Sequence, residues 1–236
     1  MNTIGTPQWT RDDLRAKLQE FSGLYEQRPI ADNRYGMRSP QMFPVWFVAQ
    51  LLEPSYIIES GVWKGQGTWF CEKASPRSEI HSIDVRLRSR EYISERVTYH
   101  RWDFCYIDWS EISKEDTLCV FDDHQNAVER VKFAQANGFK MLMFDDNYPL
   151  GQGDCYSLKK ALAEGGEDAD YLRRVLRVYY EFPPVFKTKK TRWGDAWSAR
   201  TYPTPRPLCK RVWAPYLQVY FDEAYTYNWM CYGELK

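Results

Sequence analysis

The sequence predicts an α/β fold: a doubly wound, mostly parallel seven-stranded sheet with helices on both faces and an antiparallel C-terminal strand pair. Three observations carry this prediction. Short apolar runs recur at Tyr56–Ile58, Thr117–Phe121 and Lys140–Phe144, the length of buried strands. Helical patterns alternate with them, so the connections are crossovers that cover both faces of a parallel sheet. A glycine-rich turn, ESGVWKGQGT at residues 59–68, directly follows the first run.

Taken in order, Thr10 before Asp12 and Asp13 predicts a capped helix, with Leu14, Leu18 and Phe21 at helical spacing. Residues 26–39 carry turn residues and read as a loop. Ser39-Pro40 reads as an N-cap followed by Pro at N1, opening a helix to about Leu52 that is apolar nearly all round and therefore buried. Glu53-Pro54 ends it. The strand Tyr56–Ile58, a helix at 67–74, a strand Glu79–Val85 and a strand Val97–Trp102 follow. Next come the strand Thr117–Phe121, a helix at 126–137 closed by Asn137-Gly138, and the strand Lys140–Phe144. Residues 156–164 and 168–180 are predicted helices. Residues 182–215 are a long irregular segment rich in Pro, Lys, Arg and Trp. Residues 216–232 are strand-like and supply a closing antiparallel pair.

Composition bounds the function. Lys plus Arg and Asp plus Glu each number 32, so no net positive field draws nucleic acid. The six cysteines form no C-x-x-C pair, which disfavours zinc and suits a reduced, cytoplasmic setting. No apolar run approaches the roughly 20 residues of a membrane span, and the N-terminal residues lack the pattern of a secretion signal. Self-association stays open.

Three glycines together cost backbone entropy and mark a turn that comes close to something. In a doubly wound sheet ligands sit beyond the carboxyl ends of the strands. The spacing is not the dinucleotide G-x-G-x-x-G, because Phe70 occupies the third position counted from Gly65 and Gly67. Asp84, 23 residues after Gly61 at the end of the second strand, is placed to accept hydrogen bonds from both hydroxyls of a ribose. Asp103 is placed for an adenine edge. Two acidic clusters, Asp122-Asp123-His124 and Asp145-Asp146, end the fourth and fifth strands. Adjacent strands lie about 4.8 Å apart, so these carboxylates converge and repel unless a hard cation such as Mg²⁺ neutralises them. His124 is the one histidine of three beside this cluster and is suited to general-base work.

The stretch Glu59–Thr68 with Asp84 resembles the first motif of the class I S-adenosylmethionine-dependent methyltransferases, which have a Rossmann-like sheet. The resemblance implies a cofactor site at Glu59, Gly61, Gly65, Gly67, Thr68, Asp84 and Asp103, with S-adenosylmethionine bound. The acidic pair resembles the metal-dependent sugar O-methyltransferases of the macrocin O-methyltransferase type, over about residues 40–165. It implies Asp122, Asp145 and Asp146 as Mg²⁺ ligands and Asp122 or His124 as the base. His124 replaces the family's second Asp of Asp-x-Asp. One methyltransferase domain, 1–236, is expected: an N-terminal helical extension (1–53), a cofactor and metal core (54–165), and C-terminal helices, loop and closing strands (166–236).

The expected partner is a sugar or glycan acceptor whose hydroxyl is methylated. A catechol or phenol acceptor, an iron-dependent hydroxylase relative and a non-catalytic glycan-binding domain are the alternatives. Trp193, Trp197, Tyr202 and Trp213 could stack on sugar or simply pack. The basic run Lys187–Arg192 reads as a solvated surface loop or as a seat for a phosphate or uronate. The Asn33–Gly36 turn is placed to act as a lid. Trp63 and Lys64, inside the glycine turn, have no assigned role.

Overall fold

A computed structural model describes residues 4–236. Seven strands form one sheet in the order β3-β2-β1-β4-β5-β7-β6. They are β1 (Tyr56–Ser60), β2 (Glu79–Ile83), β3 (Val97–His100), β4 (Thr117–Phe121), β5 (Met141–Phe144), β6 (Leu176–Glu181) and β7 (Cys231–Leu235). The first five run parallel, and β7 lies antiparallel to both β5 and β6. The doubly wound expectation and its antiparallel close are both realised.

Strand alternation divides the core into two layers. Ile57, Leu118, Val120 and Met143 face one apolar cluster with α1 (Arg11–Glu26), α2 (Ser39–Leu52) and α3 (Gln66–Ala74). Their neighbours Ile58, Cys119, Phe121 and Leu142 face the other, with α4 (Ala127–Asn137), α5 (Leu158–Glu164) and α6 (Gly166–Val175). Strands buried on both faces need continuous apolar sequence, which is why they stand out in it. Thr10 caps α1 through a reciprocal box with Asp13, and Gly138 closes α4 in the left-handed region.

Several boundaries differ from expectation. Ser39 is the first helical residue of α2, with Arg38 before it as the cap. β2 and β3 stop at Ile83 and His100, two residues short of the predicted ends. The predicted helix 168–180 breaks at Val175, and its second half is β6. Apolar residues at Leu172, Val175 and Val178 fit a helix, but β7 offers ladder partners to Leu176–Glu181, and pairing overrides local spacing. Residues 216–232 are mostly not strand: they hold a short helix, α7 (Gln218–Asp222), and β7 begins only at Cys231. Among the described residues no helix is long and apolar enough to cross a membrane.

Candidate functional site

The register brings four loop starts into one row. Ser60 pairs with Ile83 on one side and Phe121 on the other, and Phe121 pairs with Phe144. The next residues are Gly61, Asp84, Asp122 and Asp145. Each donates its backbone N–H to a neighbouring strand: Gly61 to Ile83 (2.9 Å), Asp84 to His100 (3.1 Å), Asp122 to Ser60 (2.7 Å) and Asp145 to Phe121 (2.8 Å). The sheet therefore continues one residue past its apolar core and aims three carboxylates at the switch between β1 and β4. A cleft of about 330 Å³ opens there, lined in part by Gly61, Trp63, Asp84, Asp103, Asp122 and His124.

The glycine turn is shaped first by the protein's own packing. Gly61 has φ +105°, and a Cβ on it would lie 2.1 Å from the Asp122 carbonyl oxygen. A Cβ on Gly67 would lie 2.2 Å from Glu59 Oε1. Gly65 caps α3. Glu59 is buried, and its Oε2 accepts from Thr68 Oγ1 (2.5 Å) and Ser82 Oγ (2.8 Å). Glu59, Gly65, Gly67 and Thr68 stand behind the turn and form no part of the cleft wall, whereas Gly61 does. Asp84 holds the turn from the front, Oδ2 accepting from the N–H groups of Val62 (3.2 Å) and Trp63 (2.9 Å). Trp63 and Lys64 tie the turn to the 27–38 loop: Trp63 Nε1 donates to the Arg34 carbonyl (3.3 Å) and Lys64 Nζ to that of Asp32 (3.1 Å). Tyr35 and Gly36 of that loop line the cleft.

Burial pushes the Glu59 carboxyl up to about 7, against the opposing bonds from Thr68 and Ser82. A carboxyl with a raised folded pKa keeps its proton while the unfolded chain releases one. Stability from this group is therefore full below the unfolded value of about 4.3 and lost as pH rises towards 7. Denaturant unfolding at pH 5 and pH 8 is expected to show a decrease that is ~2–4 kcal/mol smaller in Glu59→Gln than in the native chain. Equal pH slopes in the two proteins would show that Glu59 ionises normally.

The acidic centre lies beside the turn. Ligand atoms of Asp122, His124 and Asp146 fall within 4.8 Å of one another. His124 (φ 55°) and Asp146 (φ 53°) both sit in the left-handed region, a strain that clusters at functional sites. His124 Nδ1 is 3.2 Å from Asp146 Oδ2 and 3.2 Å from Asp154 Oδ1. Burial works to lower the His124 pKa, but Asp146 and Asp154 outweigh it and raise it. Burial, with Asp145 and Asp146 nearby, holds Asp122 well above the usual carboxylate range. Burial and then Asp146 push Asp145 up to about 7. Asp145 lies close to Asp122 and Asp146, with its Oδ1 buried and without a partner. Crowded carboxylates and an orphaned buried oxygen fit a hard divalent cation. One imidazole against several carboxylates fits Fe(II) less well, whose common set has two histidines.

Asp103 lines the cleft floor, but both its oxygens already accept from Arg130, Oδ1 from Nη1 (2.8 Å) and Oδ2 from Nη2 (2.5 Å). Arg130 also binds Asp123, which turns away from Asp122 towards Ser60 Oγ (2.7 Å). Three residues at the centre are given no role there by the sequence. Asn228 Nδ2 donates to Asp146 Oδ1 (2.7 Å), Arg192 Nη1 lies 3.7 Å from the same oxygen, and Asp154 faces His124. Only the basic run hinted at Arg192. Of the C-terminal aromatics, Trp197 packs on Trp229 (5.2 Å, 20°) and Tyr202, while Trp193 stays half exposed on Tyr148 (5.4 Å).

No protein-family model and no curated protein matches the chain. Solved structures are similar to it. The O-methyltransferase TomG from Streptomyces achromogenes, in complex with SAM, aligns with 99% of this chain and 100% of its own at 10% identity and a TM-score of 0.54. CmcI with Mg and SAM aligns with 60% of this chain and 66% of its own, at 20% identity and a TM-score of 0.46. The O-methyltransferase from Bacillus cereus in complex with SAH covers 59% and 68%, at 15% identity and a TM-score of 0.41. At such low identity, what is shared with TomG is the course of the chain. The chain has the seven-stranded, Rossmann-like fold also found in the O-methyltransferase TomG.

Proposed function

We propose that the protein transfers a methyl group from S-adenosylmethionine to a sugar hydroxyl, with Mg²⁺ held at the acidic centre. The observation that carries this reading is that Asp122 and His124 line one cleft with Asp84 and the glycine turn and also meet Asp146 in the acidic triad. TomG was solved with SAM, which accords with the cofactor half of the site.

In this reading Asp84 accepts from the two ribose hydroxyls, and Gly61 lets the methionine portion pass close to the backbone. Asp103, held by Arg130, lines the cleft beside the adenine. Bound Mg²⁺ supplies Lewis acidity that lowers the pKa of the acceptor hydroxyl. Asp122 and Asp146 would hold it, together with Asp145, whose buried Oδ1 has no partner. The acceptor oxygen forms a bond to the methyl carbon, the carbon–sulfur bond breaks, and the electron pair leaves with sulfur as a thioether. The hydroxyl proton goes to a base. His124 fits that role: Asp146 and Asp154 face Nδ1, which leaves Nε2 to take the proton.

Two measurements test the proposal. Calorimetry with S-adenosylhomocysteine is expected to show binding, weakened ~10–100-fold in Asp84→Ala, because two hydrogen bonds to a charged group are lost. Labelled-cofactor assays over sugars and catechols, with and without Mg²⁺, are expected to show Mg²⁺-dependent labelling of a sugar. Labelling of catechols alone would move the acceptor assignment. Full labelling in excess chelator would remove the cation, and no cofactor binding at all would leave a glycan-binding domain.

A further inference from the structure

A second cavity, about 630 Å³, opens beside the acidic centre. Lys187, Lys189, Lys190 and Arg192 line it together with Phe221 and Tyr225. The basic segment is held in place rather than loose. Thr188 and Thr191 are buried, Thr188 Oγ1 donates to the Lys190 carbonyl (2.6 Å), and Trp197 N–H donates to that of Lys189 (2.9 Å). A Lys190–Ala196 bridge closes it as a small hairpin.

The charge here is unbalanced in a protein whose net formal charge is zero. Among the described residues, Lys187, Lys189 and Lys190 pair with no carboxylate, and Arg192 has only Asp146 at 3.7 Å. Like charges gathered on one wall repel, a cost that a bound anion removes. Arg192 is also the geometric link, since it lines this cavity and reaches a carboxylate of the acidic centre. Trp193 lines the same cavity and packs on Tyr148, next to that centre.

We propose that this cavity is the acceptor's anion subsite, seating a phosphate ester or carboxylate carried by the sugar. The ammonium groups and the Arg192 fork hold the anion, and Phe221 and Tyr225 cover the apolar face of the ring. The inference rests on the methyl-transfer reading, and it narrows the acceptor from sugars in general to acidic sugars.

The test is a titration of the full chain at low salt with glucose 6-phosphate, glucuronate and glucose, with inorganic phosphate as competitor. The phosphate and uronate arms separate the two sources of charge. At least one anionic sugar is expected to bind ~10-fold or more tightly than glucose and to be displaced by phosphate. That preference is expected to vanish in the K187Q/K189Q/K190Q variant, whose melting and S-adenosylhomocysteine affinity serve as folding controls. No binding of either anionic sugar up to ~10 mM, no preference over glucose, or a preference that survives in the variant would each overturn the subsite. Loss of S-adenosylhomocysteine binding in the native chain is a separate result: it overturns methyl transfer, while the sugar titration still reads the cavity.

Discussion

Asp146→Asn is expected to lose the divalent-cation response and to reduce methyl transfer by more than ~10²-fold. Altering a group one shell out from a metal already costs up to about that much. Asparagine keeps the volume and tolerates the left-handed backbone at φ 53°, so the substitution isolates the charge. Asp146 is the choice because the geometry centres on it: Asn228, Arg192 and His124 all converge on its two oxygens. Thermal melts with rising Mg²⁺ or Mn²⁺ check this directly. A cation at ~100 times its Kd stabilises the native protein by about 2.7 kcal/mol, and the variant is expected to show no such rise. A melt in chelator separates lost ligation from lost folding. An undiminished cation response in Asp146→Asn would place the ion elsewhere.

Gly61→Ala is expected to destabilise the protein by more than ~4 kcal/mol, enough to leave little folded chain at 37 °C. Two costs add. A non-glycine residue at φ +105° is strained by ~1–3 kcal/mol. The added Cβ also meets the Asp122 carbonyl at 2.1 Å, and that oxygen belongs to backbone, so β1 and β4 must part at their ends. Gly151→Ala is the control: its φ is +73°, yet nothing lies within 4 Å of its added Cβ. It is expected to cost only ~1 kcal/mol in denaturant unfolding. Equal costs for the two substitutions would show that backbone strain alone matters. Any folded Gly61→Ala protein is also expected to bind S-adenosylhomocysteine poorly, because the widened gap displaces Asp84 and Asp122 together.

The parallel core was legible because its strands are buried on both faces. Tyr56–Ile58, Thr117–Phe121 and Lys140–Phe144 read as apolar runs of strand length, and Asp122 and Asp145 after the last two mark where the core stops. Caps were legible for a similar local reason, as Thr10 and Gly138 act on neighbouring backbone. The edge of the sheet was not. β6 follows α6 without a break, and its strand state depends on β7, whose first residue Cys231 lies 50 positions beyond Glu181. The glycine turn was legible as a close approach, but what it approaches was not: Gly61 meets Asp122 and Gly67 meets Glu59, both contacts created by folding.

The sequence by itself determined the order of strands and helices as far as Phe144 and the residues that end β4 and β5, because burial and backbone geometry act over a few residues. Only the tertiary structure decided which further groups join the site and how each is held. Register set Asp84, Gly61, Asp122 and Asp145 in one row, and chain return brought Arg192 and Asn228 onto Asp146. Such meetings depend on distances across the fold that no local pattern encodes.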